Sequence, residues 1–375
     1  PMIEEISCDG TNIPLYVWHR EFESMPSNII FTTDQELDNF TRKLAYVSGQ
    51  HISMAQPIVD AALPAGDRIN LTLGTEVTKR GSTFTIRRFR ADPITIVDLV
   101  HYNTLSADEA AYLWYLVEHR STMLIAGGTA SGKTTSLNAI SGFIPPGQKI
   151  VSIEDTQELN LPHENWIPAV SRQAFTGSTM AEITQFDLLR AALRQRPDVI
   201  IVGETRGREA YTLFQAFATG HGGFSSIHAD SVAATLNRLT SAPMDIPKIL
   251  IAYTLNAIFM QLKLVIGGKS VRRVVQISEI VGLDERTGEI LLNDVFNWNA
   301  ATDRHLFSGR SVLFDKIGER YGLSEDQISY ELNQRKTTVD WMVKNNVRKH
   351  KAVSDTIMEF YQNPDRFYER KRMLI

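Results

Sequence analysis

The chain has 375 residues, 43% of them hydrophobic, with 39 Lys and Arg against 43 Asp and Glu for a formal net charge of −4. That length asks for two or three domains, and the mildly acidic balance argues against a dedicated nucleic-acid surface. A single cysteine, Cys8, excludes a disulfide framework and a cysteine zinc site and fits a reducing, intracellular compartment.

Dense basic runs are confined to Arg87-Arg88-Phe89-Arg90 and Arg370-Lys371-Arg372. No signal peptide is visible, and a chain that opens on Pro1 rather than Met is expected to be a fragment.

Residues 1 to about 90 read as a small α+β domain. Residues 13–18 and 28–31 are strand-like, and Asp34 is placed to cap a helix running to about Ser48, with Leu37, Phe40, Leu44 and Val47 at helical spacing. Residues 69–73 and 84–89 read as strands joined by a turn around Arg80-Gly81-Ser82. Ala91-Asp92-Pro93 breaks the pattern and begins a linker. Ser106 then caps a helix, with Glu109 completing a capping box. From there to about Leu283 strands and helices alternate, which predicts a mainly parallel sheet with helices on both faces. Residues 249–266 form the longest apolar region, but Asn256, Gln261 and Lys263 interrupt it, so a buried helix and a core strand are expected rather than a membrane span. Residues 293–298 are expected to close a terminal hairpin. From Ser311 onward the reading is helical, with turns near Gly322-Leu323-Ser324 and Asn345-Asn346.

The most informative stretch is Gly127-Gly128-Thr129-Ala130-Ser131-Gly132-Lys133-Thr134, which fits G-x-x-x-x-G-K-[ST]. An apolar run over 123–126 precedes it, and a helical pattern with Leu137, Ile140 and Phe143 comes after, the strand, loop and helix that a phosphate-cradling P-loop needs. Glycines free backbone N–H groups to wrap phosphate oxygens, and the helix N-terminus adds partial positive charge. Gly128, Thr129, Ala130, Ser131, Gly132, Lys133, Thr134 and Thr135 are the candidate nucleotide contacts. Lys133 would bridge the β- and γ-phosphates, and the Thr134 hydroxyl would be a magnesium ligand.

Two acidic strand ends accompany it. Residues 198–202 read as a buried strand delivering Glu204 at its C-terminal end, the edge where open α/β sheets bind ligands. A carboxylate there orients water and supports a metal's water shell; a surface ion pair is the plain alternative. Residues 151–158 again end a strand in acids, Glu154 and Asp155, a magnesium and water site beside the P-loop or else a solvated acidic loop. His228 ends a strand-like run over 224–227, where a neutral imidazole could sense the γ-phosphate or simply be structural.

The order of P-loop, Ile-Glu-Asp-Thr, Val-Gly-Glu-Thr-Arg and Ser-Ile-His-Ala-Asp resembles the secretion ATPase superfamily, motors of type II and type IV secretion, type IV pili and archaeal filaments. The runs Ile6-Ser7-Cys8-Asp9-Gly10, Leu159-Asn160-Leu161-Pro162-His163-Glu164-Asn165-Trp166 and Trp341-Met342-Val343-Lys344-Asn345-Asn346 resemble its archaeal branch. The resemblance implies an α/β fold: a RecA-like P-loop ATPase core over 106–300, a smaller N-terminal α+β domain over 1–92, an interdomain linker at 93–105 and a helical C-terminal extension over 301–375. It aligns Glu154 and Asp155 with the family's aspartate box, Glu204 with its Walker B glutamate and His228 with its histidine box. Thr134, Asp155 and Glu204 become the implied metal set. Arg68 and Arg87 match small-domain arginines that reach the γ-phosphate, and Arg194 and Arg206 sit where some members place subunit-interface arginines.

The resemblance further implies a homohexamer that hydrolyses ATP with Mg²⁺ in the cytoplasm, held peripherally at the inner face of the membrane by a polytopic platform protein. An archaeal pilus or type II-like secretion motor is the first reading and an archaellum motor the alternative. A nucleic-acid translocase is the outside rival, and the missing aromatic-plus-basic track argues against it. With one cysteine the chain also lacks the zinc module common in bacterial assembly motors, and the Ala-Ile-Arg-Asn-Leu-Ile-Arg-Glu stretch of retraction motors is absent.

Overall fold

The computed structural model describes residues 2–19, 22–89, 92–172 and 181–371. Pro1, Arg90, Ala91 and Arg372, which figure in the sequence reading, lie outside the described residues. The described residues divide into two compact units, one within 2–89 with Ala181 and one built from 92–172 and 182–371.

The first unit contains β1 (Ile3–Cys8), β2 (Pro14–His19), β3 (Glu23–Ile30), α1 (Asp34–Val47), β4 (Ile58–Ala62), β5 (Arg68–Thr72) and β6 (Thr83–Arg87). Its strands form one sheet in the order β3-β2-β1-β6-β5-β4, antiparallel at every pairing. Helix α1 buries Leu37, Thr41 and Ala45, and the rings of Phe31, Phe40 and Phe84 meet in the same core. The cap of α1 falls one residue before Asp34: Thr33 is extended and its hydroxyl accepts from the Glu36 amide at 3.3 Å. Asp34 sits in the first turn instead, where its carboxylate accepts from the Thr11 hydroxyl at 2.9 Å. Strand β6 stops at Arg87 rather than 89, and the Phe89 amide donates to the Asp67 carboxylate at 2.7 Å.

The second unit opens with α2 (Ile96–His101), α3 (Ala107–Glu118), β7 (Thr122–Gly127), α4 (Lys133–Ser141), β8 (Ile150–Glu154) and β9 (Trp166–Val170). It continues through α5 (Gln185–Arg194), β10 (Val199–Val202), α6 (Glu209–Ala218), β11 (Gly222–His228), α7 (Val232–Thr240) and α8 (Lys248–Thr254). Next come β12 (Ala257–Ile266), β13 (Lys269–Leu283), β14 (Ile290–Asn299) and β15 (Arg304–Phe307), then α9 (Val312–Tyr321), α10 (Glu325–Lys344), α11 (His350–Gln362) and α12 (Pro364–Lys371).

Its nine strands run in the order β15-β14-β13-β12-β7-β11-β10-β8-β9. The six from β12 to β9 are parallel, and β12 to β15 form an antiparallel meander, far longer than the short hairpin expected at 293–298. Every residue of β7, β8 and β10 is buried, as it must be in a parallel sheet covered on both faces. One face packs against Leu113, Trp114, Leu137 and Ile140 together with Val339, Ile357 and Phe360 of the C-terminal helices. The other packs against Leu189, Leu213, Phe214 and Ile251.

The stretch expected as a linker is folded. Thr95 and Asp98 close a capping box on α2, whose Ile96, Val97 and Leu99 join the first core. The capping box of Ser106 and Glu109 on α3 is present as read. Trp114 stacks on Phe143 at 4.7 Å, and the Tyr361 hydroxyl donates to the Phe143 carbonyl at 2.7 Å, so α11 holds the far end of the segment that begins at the P-loop.

Candidate nucleotide site

Strand β7 ends on Gly127 and α4 begins at Lys133, leaving a tight loop between a buried strand and a helix. The loop turns through left-handed backbone at Ala130 (φ 57°) and Gly132 (φ 94°). Gly132 is the N-cap of α4 and makes no side-chain cap bond, so the first amides of the helix stay available to an anion. The Lys133 ammonium donates to the Gly128 carbonyl at 3.0 Å, and the Ser131 hydroxyl to the same oxygen at 2.9 Å. Thr129 and Ala130 are exposed at the loop crest, while Thr134 and Thr135 are half-buried in the first turn of α4.

The electrostatics tie the loop to the neighbouring strand ends. Burial depresses the pKa of Lys133; the charges of Glu204 and Glu158 oppose that shift and Arg206 adds to it. Glu204 lies just beyond β10, and its Oε2 accepts from Arg206 Nη2 at 2.5 Å. That carboxylate hydrogen bond, seconded by Asp155 and Glu209, raises the pKa of Arg206. Lys133, Glu204, Arg206 and Asp155 thus converge on the C-terminal edge of the parallel sheet.

Glu154 behaves differently from an exposed acid. It ends β8 at 3% exposure, and its carboxylate accepts from the amides of Glu158 at 3.0 Å and Leu159 at 3.1 Å. A Cβ on Gly203 would lie 3.0 Å from the Glu154 Cγ, which explains a glycine immediately before Glu204. Asp155 is exposed and accepts from the Ser171 hydroxyl at 2.9 Å. His228 closes β11 as the register partner of Gly127, at the mouth of the loop, and its carbonyl accepts from Arg238.

Arg68 and Arg87 belong to the first unit, where they are register partners on β5 and β6. Arg87 Nε donates to Glu5 Oε2 at 2.7 Å. Arg194 is exposed in the last turn of α5.

Two contributors escaped the sequence reading. Gln261 on β12 donates from Nε2 to the Ser131 carbonyl at 2.6 Å, and Arg272 on β13 donates to the Ala130 carbonyl at 3.3 Å. The one available signal was Gln261 breaking an apolar run.

ATP and Mg²⁺ fit this donor set. The left-handed glycine at the head of α4 and the uncapped helix start suit phosphate oxygens. Among the described residues no group of three or more His, Cys, Asp and Glu could hold a metal by itself. Mg²⁺ shared between a hydroxyl, one or two carboxylates and substrate phosphates needs no such group. No helix among the described residues is long and apolar enough to cross a membrane.

The family model described as type II/IV secretion system protein matches residues 12–315. An uncharacterized protein of Methanocaldococcus jannaschii is 40% identical over 366 residues, covering 96% of this chain and 66% of its own length. The chain therefore spans just under two thirds of that relative. A second uncharacterized protein of the same organism is 52% identical over 238 residues, covering 64% of this chain and 87% of itself. Among solved structures, the Legionella pneumophila ATPase DotB superposes with a TM-score of 0.53 at 17% identity, covering 98% of this chain and 91% of its own. The pilus retraction motor PilT with bound ADP superposes with a TM-score of 0.51 at 21% identity, covering 88% and 89%. At those identities the likeness is one of fold.

Proposed function

The chain belongs to the type II/IV secretion system protein family, and we propose that it is the ATP-hydrolysing motor of an archaeal type IV pilus or type II-like secretion system. The reading is carried by one observation: a buried strand, a tight loop with left-handed Gly132 and an uncapped helix start put Lys133 at the sheet edge where β10 delivers Glu204. In this reading the loop amides and Lys133 hold the phosphates of ATP. Glu204 accepts the proton of the attacking water. Thr134, with Asp155 and Glu204, would hold Mg²⁺, which would supply charge neutralisation at the phosphates. Glu154 shapes the loop over 155–159 beside the reacting groups, and His228 reports the state of the γ-phosphate. Arg68 and Arg87 supply positive charge to that phosphate.

The working form is a homohexamer with head-to-tail interfaces that close into a ring, docked on a polytopic membrane protein. The test is Lys133→Ala, assayed by phosphate release with ATP and magnesium. Turnover at background with ATP binding weakened supports the proposal; undiminished turnover rejects it.

A further inference from the structure

Gln261 is a buried amide that ends the apolar run over residues 257–260 of β12. It lies on β12 directly after the residues that pair with β7, at 1% exposure. The register of β12 against β13 shifts between Met260 and Gln261, the kind of bulge that re-aims a side chain. Gln261 Nε2 donates to the Ser131 carbonyl at 2.6 Å, and Oε1 accepts from Ser136 Oγ on α4 at 2.6 Å. One amide therefore clamps the P-loop to the helix that succeeds it.

The fit is close on the backbone side as well. A Cβ on Gly127 would lie 2.4 Å from the Gln261 carbonyl oxygen, and one on Gly132 would lie 2.8 Å from Gln261 Nε2. Gly127 is thus required by the Gln261 backbone and by Ser131, whose Oγ would also lie 2.4 Å from that Cβ, while Gly132 is required by its left-handed φ of 94° and leaves room for the Gln261 amide. A trans peptide carries its C=O and N–H in opposite directions. Pinning the Ser131 carbonyl towards β12 consequently turns the Gly132 amide away from β12, to the side on which a phosphate would lie. Arg272 holds the Ala130 carbonyl in the same way at 3.3 Å.

We propose that Gln261 is a positioning residue for the phosphate cradle, acting through the Ser131–Gly132 peptide. The proposal rests on the reading that the P-loop binds ATP. It is tested in the full chain with Gln261→Met, which removes both amide bonds at similar volume, and Gln261→Glu, which keeps the acceptor for Ser136 and loses the donor to Ser131. Calorimetric affinities for ATP with magnesium and for inorganic tripolyphosphate are the readout.

In Gln261→Met both affinities should fall together by about tenfold or more, as for a lost buried hydrogen bond that leaves its partner unpaired. In Gln261→Glu the ratio of variant to wild-type Kd should return towards one as pH is lowered, because the protonated acid regains a donor. A residue needed only for packing would show no such rescue. Where Gln261→Met does not fold, Gln261→Glu and Ser136→Ala carry the test, the latter predicting a smaller loss of both affinities. Affinities within twofold of wild type at every pH, while Lys133→Ala abolishes binding, overturn the proposal. Wild-type binding by Lys133→Ala would instead overturn the P-loop reading.

Discussion

Glu204→Gln removes one negative charge and almost no volume. The carboxylate it replaces meets Arg206 at 2.5 Å, but the two side chains are 25% and 63% exposed. Solvent screening limits such a pair to about 1 kcal/mol or less, and the amide oxygen of the variant can still accept from the guanidinium. The unfolding midpoint should therefore move by no more than about 4 °C, and ATP should still bind. Turnover should fall by about 10²–10⁴-fold, because an amide cannot take the proton of water. A second effect arises at Lys133. Burial lowers its pKa and the Glu204 charge pulls it back up, so deleting that charge lowers it further. A lysine of lower pKa gives up its proton at lower pH, so the variant's ATP affinity should decline earlier than wild type's as pH rises. Single-turnover phosphate release at saturating ATP and magnesium, with equilibrium binding measured into alkaline pH, tests both. Turnover within tenfold of wild type, or binding and turnover lost in parallel, would refute the assignment of Glu204 as proton acceptor.

Glu279 is a fully buried carboxylate that accepts from Tyr112 Oη at 2.8 Å, Asn293 Nδ2 at 3.0 Å, the Val312 amide at 2.7 Å and the Ser311 hydroxyl. Glu279→Ala strands those donors and should cost about 3–5 kcal/mol, seen as a large fall in the denaturant midpoint of the nucleotide-free protein. His305 lies 3.0 Å from Glu109, both side chains being 1% exposed. Burial is the largest single influence and opposes its protonation, but the Glu109 carboxylate and the Asn103 carbonyl together raise its pKa above the ordinary histidine value of 6.5. A raised folded pKa gives stability that is full below the unfolded value and lost as pH rises through the folded one. The urea-midpoint advantage of wild type over His305→Gln should accordingly shrink on the alkaline side of 6.5; an advantage that grows with pH would contradict the pairing.

The central strands were legible because burial on both faces writes them as unbroken apolar runs, as in β7 and β10. Half-exposed and edge strands carry no such mark. β1 and β4 went unread, and β13 to β15 were foreshortened, since their exposed positions are polar or mixed; β9 is apolar throughout, but Pro168 in its middle argues against a strand. Helix α2 is six residues long, too short to show a period, so a proline break before it read as a linker. At the candidate site, residue types and their places on strand ends were visible. Their partners were not: Gln261 meets Ser131 from 130 positions away, and an amide breaking an apolar run does not say what it meets. Glu154 is the opposite case. Its bonds to the amides of 158 and 159 are local, but an acidic loop reads the same whether its first carboxylate faces solvent or its own backbone.

The arginines of the first unit carry the last prediction. Strands β1, β6 and β5 are neighbours, and Glu5, Arg87 and Arg68 fall in one row across them. Like charges directly opposite on a sheet are destabilising, and the Glu5–Arg87 ion pair at 2.7 Å offsets part of that cost. Such a row concentrates positive charge that an arriving phosphate can use. If Arg87 serves the γ-phosphate, Arg87→Ala should lower turnover by about 10³–10⁵-fold, the range for a missing arginine finger, while ADP affinity changes little. Glu5→Gln should do the reverse on a small scale. The Arg87 side chain is 68% exposed, so releasing it is worth at most about 1 kcal/mol and turnover should rise no more than about fivefold. Whether Arg87 serves its own chain is decided by mixing Arg87→Ala subunits with Lys133→Ala subunits and confirming exchange by light scattering of labelled rings. If it acts within its chain, no mixed ring holds a complete site and phosphate release stays at background. Recovery on mixing would show that the arginine crosses the interface, and Arg87→Ala turnover within tenfold of wild type would remove it from the reaction altogether.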